Sequence, residues 1–252
     1  MAVQSPSLTA LYCYGVTWAQ SVAPVRSAGL GGKAVEPVTF GELAALVSEA
    51  PAGKVRARRA DLMCHFDVLG AAFENGTVLP MRFGIVFDDE RVLVEEFLRP
   101  RHDELAGLLR ELHDKVELRV TAFYREDEIL AEIVRDNPRV ARLREVTREQ
   151  GAQPLMLELG ELVAAELQAR AARDGRAIVE RLRPLSLRYE LDEEPIENQV
   201  LRGSFLVERK RVPAVDEALD DLASGQAGRI DFKYVGPLPP HSFVDLTREG
   251  RS

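Results

Sequence analysis

Tryptophan occurs once, cysteine twice and lysine only five times in this chain of 252 residues, and no uninterrupted apolar run reaches 18 residues. Each scarcity excludes something. Without a long apolar run, no segment is suited to cross a bilayer as a helix. With two cysteines, Cys13 and Cys64, and no CxxC spacing, neither a disulfide framework nor a thiolate zinc site is indicated. Both are read as buried free thiols. Residues 1–7 carry neither a basic stretch nor an apolar one, so no secretory leader is expected. Basic residues number 33 against 41 acidic, a net charge of −8. That balance disfavours a nucleic-acid partner, which requires a basic stripe to displace counterions.

What is present suffices for a core: 46% of the residues are apolar and 29% are charged, ordinary for a globular chain. At roughly 100–200 residues per domain, one large or two modest domains are expected. Leu8 to Val16 is rich in aromatic and β-branched residues and reads as a buried strand ended by Gly15. Lys33 to Phe40 and Leu43 to Val47 read as further strands. Residues 57–74 read as a helix with Leu62, Phe66, Leu69 and Phe73 on one face, stopped at Asn75-Gly76. Thr77 to Phe87 returns as a strand, Asp88 is placed to cap the next helix, and Pro100 interrupts the helical stretch that follows.

Beyond His113 the period changes to two. Val116 to Phe123, Leu185 to Leu191 and Arg229 to Tyr234 each alternate apolar with polar residues, which predicts a sheet covered on one face. Val200 to Val207 is a fourth strand. A long helical region at about 125–183, divided at Asn137-Pro138 and Gly151 to Pro154, separates the first two strands. A helix at 213–224 precedes the last. The expected fold class is therefore α+β in two domains. Residues 1–113 form an N-terminal mixed α/β domain. Residues 114–252 form a C-terminal ferredoxin-like domain, βαββαβ, with an enlarged helical insertion.

A search for chemistry finds no catalytic constellation. His65, His102, His113 and His241 show no HExxH or CxxC-like spacing, and all four read as solvated surface histidines. Gly29-Leu30-Gly31-Gly32-Lys33 lacks the first glycine, the Ser or Thr and the following helix of a phosphate loop. Acidic pairs such as Asp88-Asp89 and Asp220-Asp221 sit at helix starts or on exposed faces. The strand around Arg202 to Val207 faintly resembles an RNA-recognition strand, but Ser204 and Arg209 stand where stacking aromatics are needed. No catalytic residue, metal or cofactor is assigned, and the chain is expected not to be an enzyme.

Two segments stand out. In Val78-Leu79-Pro80-Met81-Arg82-Phe83-Gly84-Ile85-Val86-Phe87, Pro80 favours a strand edge or bulge. Arg82 sits between apolar neighbours and requires carboxylate or carbonyl partners if buried. It is read first as a structural tie and second as a partner contact. Gly236-Pro237-Leu238-Pro239-Pro240-His241-Ser242-Phe243 is a stiff exit from the last strand, read first as a packed terminal clamp and second as a docking ligand. The candidate residues are Pro80, Arg82, Phe83, Gly84, Gly236, Pro237, Pro239, Pro240 and Phe243.

These segments resemble motifs of the GvpF/GvpL family of gas vesicle proteins. Leu11 to Val16, Gly41 to Ser48, the position of His65, and Phe205-Leu206-Val207 are similar to further family segments. Met81 and Ile85 stand where Leu and Thr are usual, and Leu238 and His241 replace Trp and Tyr. The resemblance implies a non-enzymatic accessory or minor structural protein of gas vesicle assembly, cytoplasmic and vesicle-associated. It would bind the hydrophobic shell protein or other accessory proteins, without nucleic acid or membrane. The sheet face with Phe123 and Val235, and the helical insertion, are candidate surfaces. The alternative is a ferredoxin-like regulatory protein that binds a small molecule.

Overall fold

A computed structural model describes residues 9–22, 28–51, 53, 55–150, 153–192, 196 and 198–246, with backbone alone at 149 and 150. Leu8 and the Gly151 break lie outside the described residues, as does the N-terminal stretch read for a leader. The chain is mixed α/β with two antiparallel sheets. It divides into two compact units: Met1–Glu117 with Pro237–Ser252, and Leu118–Gly236. Residues 237–252 thus belong to the first unit, whereas the period change near His113 had assigned them to the second.

The first unit is built on β1 (Leu11–Trp18), β2 (Glu36–Phe40), β3 (Leu43–Glu49), β4 (Val78–Pro80) and β5 (Val86–Phe87). Its sheet order is β2-β3-β1-β4, and β5 also pairs with β1. Six consecutive residues are buried in both β1 and β3, so both faces of this sheet are covered, which explains apolar runs in place of alternation. The helices α1 (Arg59–Asn75) and α3 (His102–Glu111) both pack against β1. Between β5 and α3, α2 (Glu90–Val92) continues into a wider π-helical turn, Leu93–Leu98. Its cap is Asp89, whose carboxylate accepts from the Val92 N–H at 2.7 Å, and not Asp88.

Gly15 does not end β1 but lies within it. Cys13 pairs with Val47 and Gly15 with Leu46, so Tyr14 is an extra residue without a counterpart. Such a bulge bends a strand and re-aims side chains. A Cβ on Gly15 would lie 2.6 Å from the Leu79 carbonyl oxygen and 2.9 Å from a Leu69 methyl. Glycine is required there by the close approach of β4 and α1, not by a turn. The α1 face also differs from expectation. His65, Val68, Leu69, Ala72 and Phe73 are buried, while Phe66 is exposed.

In the second unit, β6 (Lys115–Tyr124, entering from the first unit) is followed by α4 (Glu126–Asp136), α5 (Pro138–Gln150) and α6 (Gln153–Leu182). Then come β7 (Arg188–Leu191), β8 (Gln199–Glu208), α7 (Val212–Gly225) and β9 (Ile230–Leu238). The sheet order is β7-β8-β6-β9. Every residue of β7 is exposed, so the alternation of Leu187, Tyr189 and Leu191 does not mark a buried face. On β6 the alternation holds except at Glu117, which is buried.

An ion network joins the helices of this unit. Arg229 Nε donates to Glu132 at 2.6 Å and its Nη2 to Asp174 at 2.7 Å. Arg170 pairs with Glu132 and Asp136, and the Tyr124 hydroxyl donates to Asp174 at 2.5 Å. The Arg229 hydrogen bond holds the Glu132 carboxyl below the usual carboxylate range.

Gly15→Ala is expected to destabilise the chain by about 1–3 kcal/mol, as overpacking does. Equilibrium denaturation checks this, and an unchanged midpoint would contradict the close β1–β4–α1 approach.

Candidate functional site

The Val78–Phe87 motif is two short strands and a protruding turn, not one strand. Both strands pair with the same edge of β1: Gly15 to Thr17 with Val78 to Pro80, and Leu11 and Tyr12 with Val86 and Phe87. The turn is clamped where it leaves and rejoins. The Met81 N–H donates to the Tyr14 carbonyl at 2.8 Å, and the Cys13 N–H to the Ile85 carbonyl at 3.0 Å. Gly84 carries φ 94°, a conformation that a side chain strains.

Beneath the turn lies His65, which is only 1% exposed. The Gly84 N–H donates to the Tyr12 hydroxyl at 3.2 Å, and that hydroxyl lies 2.9 Å from His65 Nδ1. The imidazole also hydrogen-bonds the Met81 backbone. A neutral imidazole can accept at one ring nitrogen and donate at the other, so the tyrosine hydroxyl and the Met81 backbone can both be served. His65 and Tyr12 therefore hold the turn at both of its ends. Phe83 packs edge-on to His65 at 5.6 Å and to Tyr12 at 6.0 Å between centroids. Tyr14 stacks on the other side at 5.7 Å. Its hydroxyl accepts from the Leu30 N–H at 2.8 Å and meets the Ser48 hydroxyl at 2.9 Å.

The C-terminal motif docks beside this cluster, within the same unit. His241–Phe243 forms a single 3-10 turn with Phe243 buried. Glu117, 0% exposed, receives the Ser242 N–H at 2.7 Å and the Ser242 hydroxyl at 2.9 Å. Met81 and Leu246 form a parallel bridge. Arg82 binds Asp245 with two nitrogens, Nε at 2.9 Å and Nη2 at 3.0 Å. The Arg82 side chain is 65% exposed, so it is a surface tie and not the buried arginine that its apolar neighbours suggested. Such a pair contributes about 0.2–1 kcal/mol. The Phe66 ring packs edge-on to His241 at 5.1 Å.

Of the nine residues singled out in the sequence, Pro80, Pro239, Pro240 and Phe243 are buried, Phe83 and Gly84 half-buried, and Arg82, Gly236 and Pro237 exposed. Gly236 falls at the end of the second unit. The residues that hold the two motifs together were not singled out: Tyr12, Tyr14, Glu117, Ser242 and Asp245. The spacing of His65 suggests a surface histidine, and its burial corrects that reading. Its signal was available in the alternation of Tyr12 and Tyr14 with small residues, which leaves two hydroxyls in an apolar strand in need of partners.

Outside the cluster, α1 presents an apolar face to solvent. Met63 is 53% and Phe66 46% exposed. They line a shallow groove of about 780 Å³ with Ala60, Gly70 and Ala71, edged by Asp67 and Glu74. Cys64 also lines it, and its Sγ donates to the Ala28 carbonyl at 3.2 Å. Burial, together with Asp67 and Asp61, pushes the Cys64 thiol up. Burial pushes the Cys13 thiol up to about 12. Neither supplies a ready thiolate. Among the described residues no His, Cys, Asp and Glu side chains gather in a metal-holding group, and no helix is long and apolar enough to cross a membrane.

The family model of the gas vesicle synthesis protein GvpL/GvpF matches residues 10–245, from the start of β1 to the carboxylate that binds Arg82. The chain belongs to the GvpL/GvpF family. It is 38% identical over 241 residues to gas vesicle protein F of Streptomyces sp. (strain CB03234), covering 93% of this chain and 99% of that protein. It is 24% identical to gas vesicle protein F1 of Halobacterium salinarum over 94% of this chain and 93% of that one. The crystal structure of GvpF from Anabaena sp. PCC7120 superposes with a TM-score of 0.80 at 22% identity, covering 95% of this chain and 99% of that chain. In this GvpL/GvpF chain both motifs meet on the first unit, and the matched span runs across them.

Burial and the nearby His241 charge lower the His65 pKa from 6.5 to about 4. The unfolded chain therefore binds this proton first, and stability falls as pH drops from about 6.5 toward 4. The loss is on the order of 3 kcal/mol at completion. His65→Gln is expected to flatten this dependence, measured by urea denaturation at pH 7 and pH 5. A second outcome concerns the buried carboxylate: Glu117→Ala is expected to cost about 2 kcal/mol or more, since it leaves the Ser242 donors without their acceptor. Hydrogen exchange at Phe243 to Leu246 reads the loosened tail; unchanged protection there would refute the anchor.

Proposed function

We propose that this GvpL/GvpF chain is a non-enzymatic accessory or minor structural protein of gas vesicle assembly, of the F type, that binds the hydrophobic shell protein or another vesicle accessory protein. The observation that carries this reading is the match along residues 10–245 to a family of gas vesicle synthesis proteins. The F type is supported by 38% identity over 99% of a gas vesicle protein F. The place of action in this reading is the cytoplasm, on the growing vesicle.

The binding surface in this reading is the exposed face of α1. Met63 and Phe66 supply apolar area, Ala60, Gly70 and Ala71 let a partner helix approach closely, and Asp67 and Glu74 edge the groove. An apolar patch rimmed by charge is the usual form of a protein-binding site. The Pro80 to Gly84 turn and the Pro237 to Phe243 tail act as its support: His241 backs Phe66, and His65 fixes α1 against the sheet. Pro80, Arg82, Phe83, Gly84, Gly236, Pro237, Pro239, Pro240 and Phe243 thus serve a structural role in the reading. The second unit is assigned a ferredoxin-like architecture, supported by the strand order β7-β8-β6-β9 with helices after β6 and β8.

The test is capture of the shell protein by the tagged chain in co-expressing cells, with detergent-washed vesicles probed in parallel. Met63→Asp combined with Phe66→Asp is expected to lower capture at least about tenfold, as loss of central apolar contacts does. Circular dichroism verifies that the double variant folds, since the Phe66 ring also packs on His241, and Met63→Asp alone, at a side chain 53% exposed, keeps the test independent of that contact. Retention on washed vesicles identifies a resident component, and capture without retention a transient assembly factor. No capture of shell or accessory protein by the wild type rejects the reading, and undiminished capture by the double variant rejects the α1 surface.

A further inference from the structure

Two surface turns of the second unit meet at one end of its sheet. Arg183–Leu185 is a 3-10 turn that follows α6, and Arg209–Arg211 is another between β8 and α7. The Leu187 N–H donates to the Leu206 carbonyl at 2.8 Å, which sets the exit of the first turn beside the end of β8. Arg211 joins the turns directly, since its Nη1 donates to the Pro184 carbonyl at 3.3 Å. Residues 181–188 and 208–211 hold six cations and one carboxylate, Glu208, in a chain whose net charge is −8.

The pairing within this cluster is incomplete. Lys210 Nζ and Arg211 Nε both reach the same oxygen of Glu208, Oε2, at 3.3 and 3.4 Å. One carboxylate therefore serves two cations, and the excess positive charge stays at a fixed place. The Lys210 side chain is 78% exposed and that of Arg211 50%. Arg183 is exposed and has no carboxylate partner among the described residues. Arg181 is paired with Asp221 at 3.2 Å. Arg188 and Arg209 are engaged within the chain, so the surface rests on Arg183, Lys210 and Arg211.

The backbone beneath these three side chains is pinned. Ser186 closes the first turn twice, its N–H donating to the Arg183 carbonyl at 3.2 Å and its hydroxyl at 3.1 Å. Pro184 restricts that turn further. The Val212 N–H closes the second turn on the Arg209 carbonyl. Cations carried on a preset backbone bind with a smaller ordering cost.

We propose that the paired turns are a docking surface for an acidic segment of a partner protein. One carboxylate of the segment completes the Lys210–Arg211 pair, and a neighbouring one meets Arg183. The guanidinium fork suits a carboxylate in this role. A nucleic acid or an anionic lipid surface calls for a longer basic stripe, and the acidic remainder of the chain repels an extended polyanion. A short run of carboxylates spans the three cations without reaching that remainder. Exposed pairs contribute little individually, so the complex is weak and salt-sensitive. This inference stands on the second unit and is independent of the α1 surface.

The test is fluorescence anisotropy of a dye-labelled octaglutamate titrated with the full chain in about 50 mM salt, where screening is weak. Saturable binding is expected for the wild type, and none with octaglutamine. Arg183→Glu combined with Lys210→Glu is expected to weaken binding at least about tenfold. Arg142→Glu combined with Arg144→Glu makes the same change of net charge at exposed residues of α5, and is expected to weaken it less than about twofold. Glu208→Gln removes the competing carboxylate and is expected to tighten binding at least about twofold, which a loss of structure would not do. Circular dichroism verifies that the variants fold. A wild type that does not bind octaglutamate, or binds octaglutamine equally, overturns the proposal. So does equal weakening by the two double reversals, or a Glu208→Gln variant that binds no tighter. A single-stranded DNA octamer or a phosphatidylglycerol vesicle that binds the same residues more tightly than octaglutamate overturns it in favour of a nucleic acid or a membrane surface.

Discussion

The first unit depends on one buried neutral imidazole. His65 satisfies a tyrosine hydroxyl on one side and a turn carbonyl on the other, and it does so out of reach of water. A buried polar ring of this kind is tolerated only when both nitrogens are engaged. That requirement sets the rotation of α1, the path of the Met81–Gly84 turn and the place of Phe83. Phe66, next to His65 along α1, is turned to solvent by the same rotation and meets His241. The exposed apolar groove is thus a consequence of what the helix buries.

The two units bury polar groups by different means. In the first, tyrosines, a serine, a neutral histidine and one carboxylate are matched to hydroxyls and backbone donors. In the second, Arg170 and Arg229 are matched to Glu132, Asp136 and Asp174. Buried ion pairs add modest net stability, but loss of one member strands a charge. The network therefore serves registry: it fixes α4 and α6 to each other and to Arg229 at the entry to β9.

Much of the fold was legible in local patterns. The strands of the second unit, the helices divided at Asn137-Pro138, and the stop at Asn75-Gly76 follow from period, proline and glycine, whose effects are local. Readings failed where a distant partner intervened. Gly15 resembled a strand end because glycine usually marks one, but it answers to the Leu79 carbonyl. Glu117 fell on the wet side of an alternating strand, yet the tail supplies donors that make its burial tolerable. Arg82 was framed by apolar residues and still points out, since the turn that carries it leaves the sheet.

The sequence by itself determined the mixed α/β class, most of the order of elements, the lack of any apolar run of 18 residues and the two motifs that resemble the GvpL/GvpF family. The class and the elements rest on periodicity and composition, and the resemblance rests on the motif residues, all of which each short segment carries alone. Only the tertiary structure decided that the motifs converge, that His65 lies beneath them, and which face of α1 meets solvent. Hydrogen bonds between residues 53 to 125 positions apart, Tyr12 to His65 and Glu117 to Ser242, leave no local trace in the chain. Their donors and acceptors are matched by the packing of whole elements.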